Sequence, residues 1–180
     1  MTGSSRVLSL NRLAAVVRRL RRQGKTIAFT NGCFDLLHAG HLDYLERIKS
    51  KADCLIVAVN SDSSVKRIKG PGRPILPAKE RAALVAALKP VDYVTIFPES
   101  TPLKTIRLLK PDLLAKGGDW RPDQIVGREV VESSGGRVLV IPTLKGHSTS
   151  GLIRKVKGTV PEGDCPWFPR RGLSLVSGEG

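Results

Sequence analysis

The sequence predicts an α/β domain: a doubly wound, mostly parallel five-stranded sheet with helices on both faces. Three observations carry that expectation. Five short apolar runs alternate with helical patterns along most of the chain. One of them, DCLIVAVN (53–60), is apolar almost without a break, as a parallel strand covered on both faces requires. The connection after the first run, TNGCFDLLHAGH (30–41), holds two glycines and leads straight into a helix, at the strand end where such sheets bind ligands.

The elements follow in order. Ser9 can cap a helix in which Leu10, Leu13, Val16, Val17 and Leu20 recur at helical spacing, with arginines in the last turns and Gly24 as the stop. KTIAFT (25–30) reads as a central strand. From Gly40 to about Lys51, Leu42, Leu45 and Ile48 mark an amphipathic helix, and 53–60 completes a β-α-β unit. Residues 61–78, polar, basic and rich in Gly and Pro, are expected to form a flexible loop. AKERAALVAALK (78–89) is helical, with Leu84, Val85 and Leu88 facing inward, and VDYVTIF (91–97) is a strand. Pro102 sits just inside the start of a helix over 101–109. PDLLAKG (111–117) is a strand, PDQIVGREVVESSG (122–135) one helix ending at Gly135, RVLVIP (137–142) the last strand, and STSGLIRKV (148–156) a closing helix. This order is Rossmann-like. After Lys157 periodicity fails, so the domain is placed at 1–157 and residues 158–180 are expected to be a disordered tail.

Charge and composition narrow the chemistry. A formal net charge of +14 gives a surface that attracts anions, whether nucleic acid, acidic lipid or phosphorylated small molecules. Much of it lies in Arg18, Arg19, Arg21, Arg22 and Lys25, read as a solvated helix face, and in Lys66, Arg67, Lys69 and Arg73. Aromatic residues make up 4% of the chain and do not cluster, so the stacking platform of a nucleic-acid-binding module is missing. Cys33, Cys54 and Cys165 form no CxxC pair, which argues against a disulfide framework or a thiolate zinc site. No run approaches the roughly 20 apolar residues of a membrane span. A soluble, cytoplasmic protein with no membrane partner is expected.

Three chemistries compete for His38 and His41. A catalytic zinc needs a third strong ligand, which His147, Asp35, Asp43 or Asp119 would have to supply. Acid/base catalysis suits histidine, but no GxSxG-type nucleophile accompanies the pair. Phosphate binding fits the placement best, because a helix N-terminus offers unpaired N–H groups and a positive dipole end, and Gly40 permits close approach. No metal ligand set is therefore assigned.

TNGCFDLLHAGH is similar to the HxGH signature of the cytidylyltransferase-like nucleotidyltransferases. Together with VNSDSSVKRIKGPGRP (59–74), Glu80-Arg81, LLAKGGDW (113–120) and STSGLI (148–153), it resembles the D-glycero-β-D-manno-heptose 1-phosphate adenylyltransferases over roughly residues 8–157. The resemblance implies in-line attack of a sugar 1-phosphate on the α-phosphorus of ATP, with Mg2+ on the triphosphate. His38 and His41 would hold the triphosphate. Asn31, Gly32, Cys33 and Phe34 would lie against the nucleotide, with Asp35 orienting the turn. Lys66 and Lys69 would close over the phosphates, near which the family also uses the Arg81 position. Gly117 and Gly118 would pass close to the ligand, Asp119 would bind the ribose or base region, and Ser148, Thr149 and Ser150 would form a second cradle. A separate sugar kinase upstream and a homodimer are implied as well. The family commonly has Asn-Pro where this chain has Leu76-Pro77, and Asp-Arg in place of Glu80-Arg81. Cytidylyl transfer to glycerol 3-phosphate or a similar alcohol phosphate, and adenylyl transfer to FMN, are the alternatives. Base choice would rest on Gly118–Trp120 and Ser148–Ser150.

Overall fold

A computed structural model describes residues 5–118, 120–142, 144, 149 and 151–153. Five strands, β1 (Ile27–Gly32), β2 (Cys54–Asn60), β3 (Tyr93–Phe97), β4 (Leu113–Gly117) and β5 (Arg137–Ile141), form one sheet in the order β3-β2-β1-β4-β5. Every pairing is parallel. Among the described residues the helices around it are α1 (Leu10–Arg22), α2 (Ala39–Lys49), α3 (Asp62–Lys69), α4 (Ala78–Ala87), α5 (Leu103–Leu109) and α6 (Arg128–Glu132). The doubly wound five-stranded expectation is met.

Alternation across the strands divides the interior into two cores. Ala28, Leu55, Val57, Val59, Leu113 and Ala115 pack against Tyr44, Leu45 and Ile48 of α2 and Ala82, Val85 and Ala86 of α4. Ile27, Phe29, Ile56, Ala58 and Leu114 pack against Leu13, Ala14 and Val17 of α1, with Ile106 and Leu109 of α5 and Val131 of α6. β2 is buried along its whole length, which is why its sequence shows no polar alternation.

Four expectations change. Residues 61–78 do not form a loop throughout, because 62–69 is the helix α3. Local features favour it, since Ser61 accepts a hydrogen bond from Ser64 N, Asp62 lies in the first turn and Lys66, Arg67 and Lys69 lie in the last. Distant segments also hold it, through the Asp62–Arg81 pair and Arg67 donating to Pro98 O. The run 122–135 splits into a 3-10 turn (Pro122–Gln124) and α6 (Arg128–Glu132). Between them Gly127 takes φ 92°, and a Cβ there would lie 2.5 Å from Ile106 Cδ1. On α2 the buried stripe is Tyr44, Leu45 and Ile48 while Leu42 is exposed, and on α4 Leu84 is exposed while Ala82, Val85 and Ala86 are buried.

The first compact unit ends at Thr149. In the second unit, residues 150–180, only 151–153 are described, and they are helical. The rest of the expected closing helix, the boundary at 157 and the tail 158–180 lie outside the described residues.

Candidate active site

The motif 30–41 leaves the sheet at its centre. From β1 the chain steps outward through β2 to β3 on one side, while β4 and β5 extend the other side. The crevice outside the carboxyl ends of β1 and β4 is thus the switch point of the fold, where ligands bind in such sheets. The last residues of β1 serve both faces. Thr30 Oγ1 and Tyr44 OH share a buried 2.7 Å hydrogen bond. Asn31, in the row of Ile27 and Phe29, accepts a 2.8 Å hydrogen bond at Oδ1 from Lys116 Nζ. Burial pulls the Lys116 pKa down.

The turn that follows is tightly specified. Phe34 adopts φ 45°, unusual for a residue with a side chain, and its ring lies against Gly32, where a Cβ would meet it at 3.0 Å. Asp35 is buried and takes the next segment in hand. Its carboxylate accepts from Arg73 Nε at 2.5 Å, Ile75 N at 2.8 Å and Leu76 N at 3.1 Å. Leu36 O accepts from Thr149 Oγ1 at 3.2 Å, which brings that residue of the second expected cradle to the turn.

His38 is the N-cap of α2, and His41 N donates to His38 O at 2.9 Å. The Ala39 and Gly40 N–H groups lie ahead of this first intrahelical bond, and no acidic residue sits in the first turn to answer the positive helix end. The two imidazoles stack with centroids 3.9 Å apart, and Phe34 closes on His41 at 5.2 Å. Burial first, and the neighbouring His38 second, push the His41 pKa down to about 4. His41 is therefore neutral at pH 7, and its Nδ1 is buried with no hydrogen-bond partner among the described residues.

The basic residues divide. Lys66 and Lys69 are exposed on α3 rather than on a flexible loop, three residues apart and so on one helical face. Burial raises the Cys33 pKa, while the charges of Lys69, Arg73 and Arg81 act on it in the opposite sense, so Lys69 is the lysine of the pair whose field reaches the turn. Arg81, expected beside the phosphates, is instead fully buried. Its Nε donates to Leu76 O at 2.8 Å, one terminal nitrogen to Cys33 O at 2.5 Å and the other to Asp62 Oδ1 at 2.7 Å. It joins the β1–α2 turn, the segment before α4 and the start of α3.

At the end of β4, Gly117 carries the Tyr44 ring where a Cβ would meet it at 3.2 Å, and Gly118 has φ 114° with its N donating to Ile141 O. Asp119, Ser148 and Ser150 lie outside the described residues. Among the described residues no three His, Cys, Asp or Glu side chains gather as a metal site. The sequence reading did not single out Tyr44, Asp62 or Lys116, nor assign Arg73 a role. Lys116 had a signal, a lone cation ending an apolar strand in LLAKGG. Asp62 and Arg73 had none, since their partners lie 19 and 38 residues away.

The arrangement is that of a family. The model of cytidylyltransferase-like proteins matches residues 29–155. Bifunctional protein HldE of Geotalea uraniireducens is 48% identical over 159 residues, 88% of this chain and 32% of that protein. The same-named protein of Pseudomonas entomophila is 49% identical over 156 residues, 86% of this chain and 33% of its own length. The chain spans about a third of the length of these curated relatives. A lipopolysaccharide core biosynthesis protein from Thermoplasma volcanium superposes with a TM-score of 0.57 at 32% identity, covering 69% of this chain and all of that one. Pantoate-β-alanine ligase from Francisella tularensis, at 16% identity and a TM-score of 0.58 over 80% of this chain and 68% of its own, shares the fold. With a glycine-bearing turn and paired histidines at the switch point, and with this match over most of its length, the chain belongs to the cytidylyltransferase-like family.

Proposed function

We propose that this chain is a nucleotidyltransferase that moves AMP from ATP to a sugar 1-phosphate, D-glycero-β-D-manno-heptose 1-phosphate, giving ADP-heptose and pyrophosphate. The stacked His38–His41 pair at the start of α2, beside the switch point, carries the proposal. Similarity to the HldE proteins and to the lipopolysaccharide core biosynthesis protein supports the choice of acceptor.

A phosphate oxygen of the sugar 1-phosphate attacks the α-phosphorus in line, the bond from that phosphorus to the bridging oxygen breaks, and pyrophosphate departs with the electron pair. The nucleophile is already an anion, so no base is needed. The barrier is lowered by positioning and by donors aimed at developing charge. The helix-start N–H groups and the imidazoles of His38 and His41 would hold the triphosphate, with neutral His41 donating through one ring nitrogen. Lys69 would add charge from α3, with Lys66 on the same face. Asn31, Gly32, Cys33, Phe34, Gly40, Gly117 and Gly118 would border the nucleotide, while Asp35 and Arg81 hold the turn in shape. Asp119 and Ser148–Ser150 would complete the nucleotide side. Mg2+ would enter on the triphosphate as part of the substrate, as that ion does where phosphates supply most of its ligands. The same reading includes a kinase that supplies the sugar phosphate, a homodimer and a cytoplasmic location.

The test is a pyrophosphate-release screen crossing ATP and CTP with heptose 1-phosphate, glycerol 3-phosphate and FMN. Release with ATP and heptose 1-phosphate alone is expected. Turnover only with CTP refutes the substrate assignment, and no turnover with any pair refutes the activity.

A further inference from the structure

At the carboxyl edge of the sheet the described side chains supply donors and positive charge with little to neutralise them. Lys116 is half-buried near the end of β4, and its hydrogen bond goes to a neutral oxygen, Asn31 Oδ1 at 2.8 Å. It takes part in none of the ion pairs among the described residues. The buried carboxylate of the adjoining turn, Asp35, is already occupied by Arg73 and two backbone amides. A lysine drawn out of water without a counter-charge is destabilised, and burial already lowers its pKa. Asn31 occupies one of three ammonium donors and leaves two for a ligand.

Lys116 also stands on the other side of the sheet from the histidine pair. The β1–β4 pairing covers Ala28↔Leu113 and Phe29↔Leu114, and Asn31 and Lys116, each two residues further along its strand, fall by alternation in the row of Phe29 and Leu114. That row faces the α1, α5 and α6 core, whereas α2, which carries His41, covers the Thr30 face. His41 Nδ1 is a second polar group on this edge, buried and without a hydrogen-bond partner among the described residues. Donors thus approach the edge from both faces.

We propose that Lys116 forms a second anion subsite, in which its ammonium, aimed by Asn31, takes a phosphate oxygen of one of the two substrates across the strand edge from the His38–His41 cradle. The inference rests on the nucleotidyl-transfer reading, in which two phosphorylated molecules must be held together against their mutual repulsion. The phosphate belongs either to the nucleotide or to the acceptor, and binding each one separately tells them apart.

Equilibrium binding of ATP alone and of heptose 1-phosphate alone is measured by calorimetry for the wild type, Lys116→Gln and Lys116→Arg, with melting temperatures alongside. Lys116→Gln is expected to weaken one ligand or both by about 10- to 100-fold, as loss of a charged hydrogen bond does, while Lys116→Arg stays near wild type. The ligand that suffers identifies the occupant. Wild-type affinity for it should also fall at alkaline pH as Lys116 deprotonates, with Lys116→Arg unaffected over the same range, a readout that survives even if Lys116→Gln fails to fold. Unchanged affinity for both ligands in a folded Lys116→Gln, or no alkaline loss in the wild type, overturns the subsite. Wild type that binds ATP yet releases no pyrophosphate with any acceptor refutes the function and leaves the subsite standing. Wild type that binds neither ligand overturns both.

Discussion

Replacing Arg81 with Met separates two roles that a buried arginine near a phosphate site can have. The guanidinium is fully buried, and its partners are all protein: Leu76 O, Cys33 O and Asp62 Oδ1. Methionine fills much of the volume but leaves the two carbonyls with no donor, at about 1–3 kcal/mol each. Asp62 is 52% exposed, so it rehydrates and adds about 1 kcal/mol at most. The sum is a loss of about 2–7 kcal/mol, a large share of the stability of an ordinary domain. For a chain of this size that lowers Tm by roughly 4–28 °C. Urea and thermal unfolding followed by circular dichroism measure it, with the m-value unchanged. ATP affinity at a temperature where the variant is folded should drop only modestly, because the turn relaxes while no ligand contact is lost. Stability within about 1 kcal/mol of wild type, combined with turnover lowered by three orders of magnitude, would refute the clamp and make Arg81 a direct phosphate contact.

Two further perturbations test the site from other directions. The His41 pKa of about 4 lies below the unfolded value of 6.5, so the unfolded chain binds a proton that the folded one refuses; stability is full above pH 6.5 and is lost as pH falls toward 4, by roughly 2–3 kcal/mol. Denaturant titrations at about pH 7 and pH 5 should show this loss in wild type and a smaller one in His41→Asn; equal slopes in the two proteins would contradict it. Asp35→Ala removes the acceptor from Ile75 N and Leu76 N, so their amide hydrogens should exchange about 10- to 100-fold faster while those of β2 are unaffected. Unchanged protection at both amides would mean that Asp35 does not hold the segment.

The strands were legible because each is an apolar run whose burial leaves no other reading, β2 above all. The start of α2 was legible for a related reason, since the apolar run of β1 gives way to a glycine-bearing turn before helical spacing begins. α3 was not, because Val65 and Ile68 are its only large apolar residues and the rest of its support comes from a serine cap, charges matched to the helix ends and bonds to distant residues such as Arg81 and Pro98. Leu42 and Leu84 misled by hydrophobicity alone: helical spacing fixes a stripe to within a residue, and tyrosine and alanine took the buried places beside them. The clamp around Arg81 and the Lys116–Asn31 pair depend on segments far apart in the chain, and local pattern does not report which of them meet.

Asp35 grips its neighbouring segment through the backbone amides of Ile75 and Leu76, and Arg81 reaches Leu76 through its carbonyl. None of these bonds reads a side chain. Any residue other than proline can stand at 75 or 76 without loosening the hold, so the leucine found where the family commonly has asparagine leaves the anchor intact. A segment fastened by its main chain to the β1–α2 turn, with Ile75 half in solvent, can exchange its side chains without disturbing the shape of that turn.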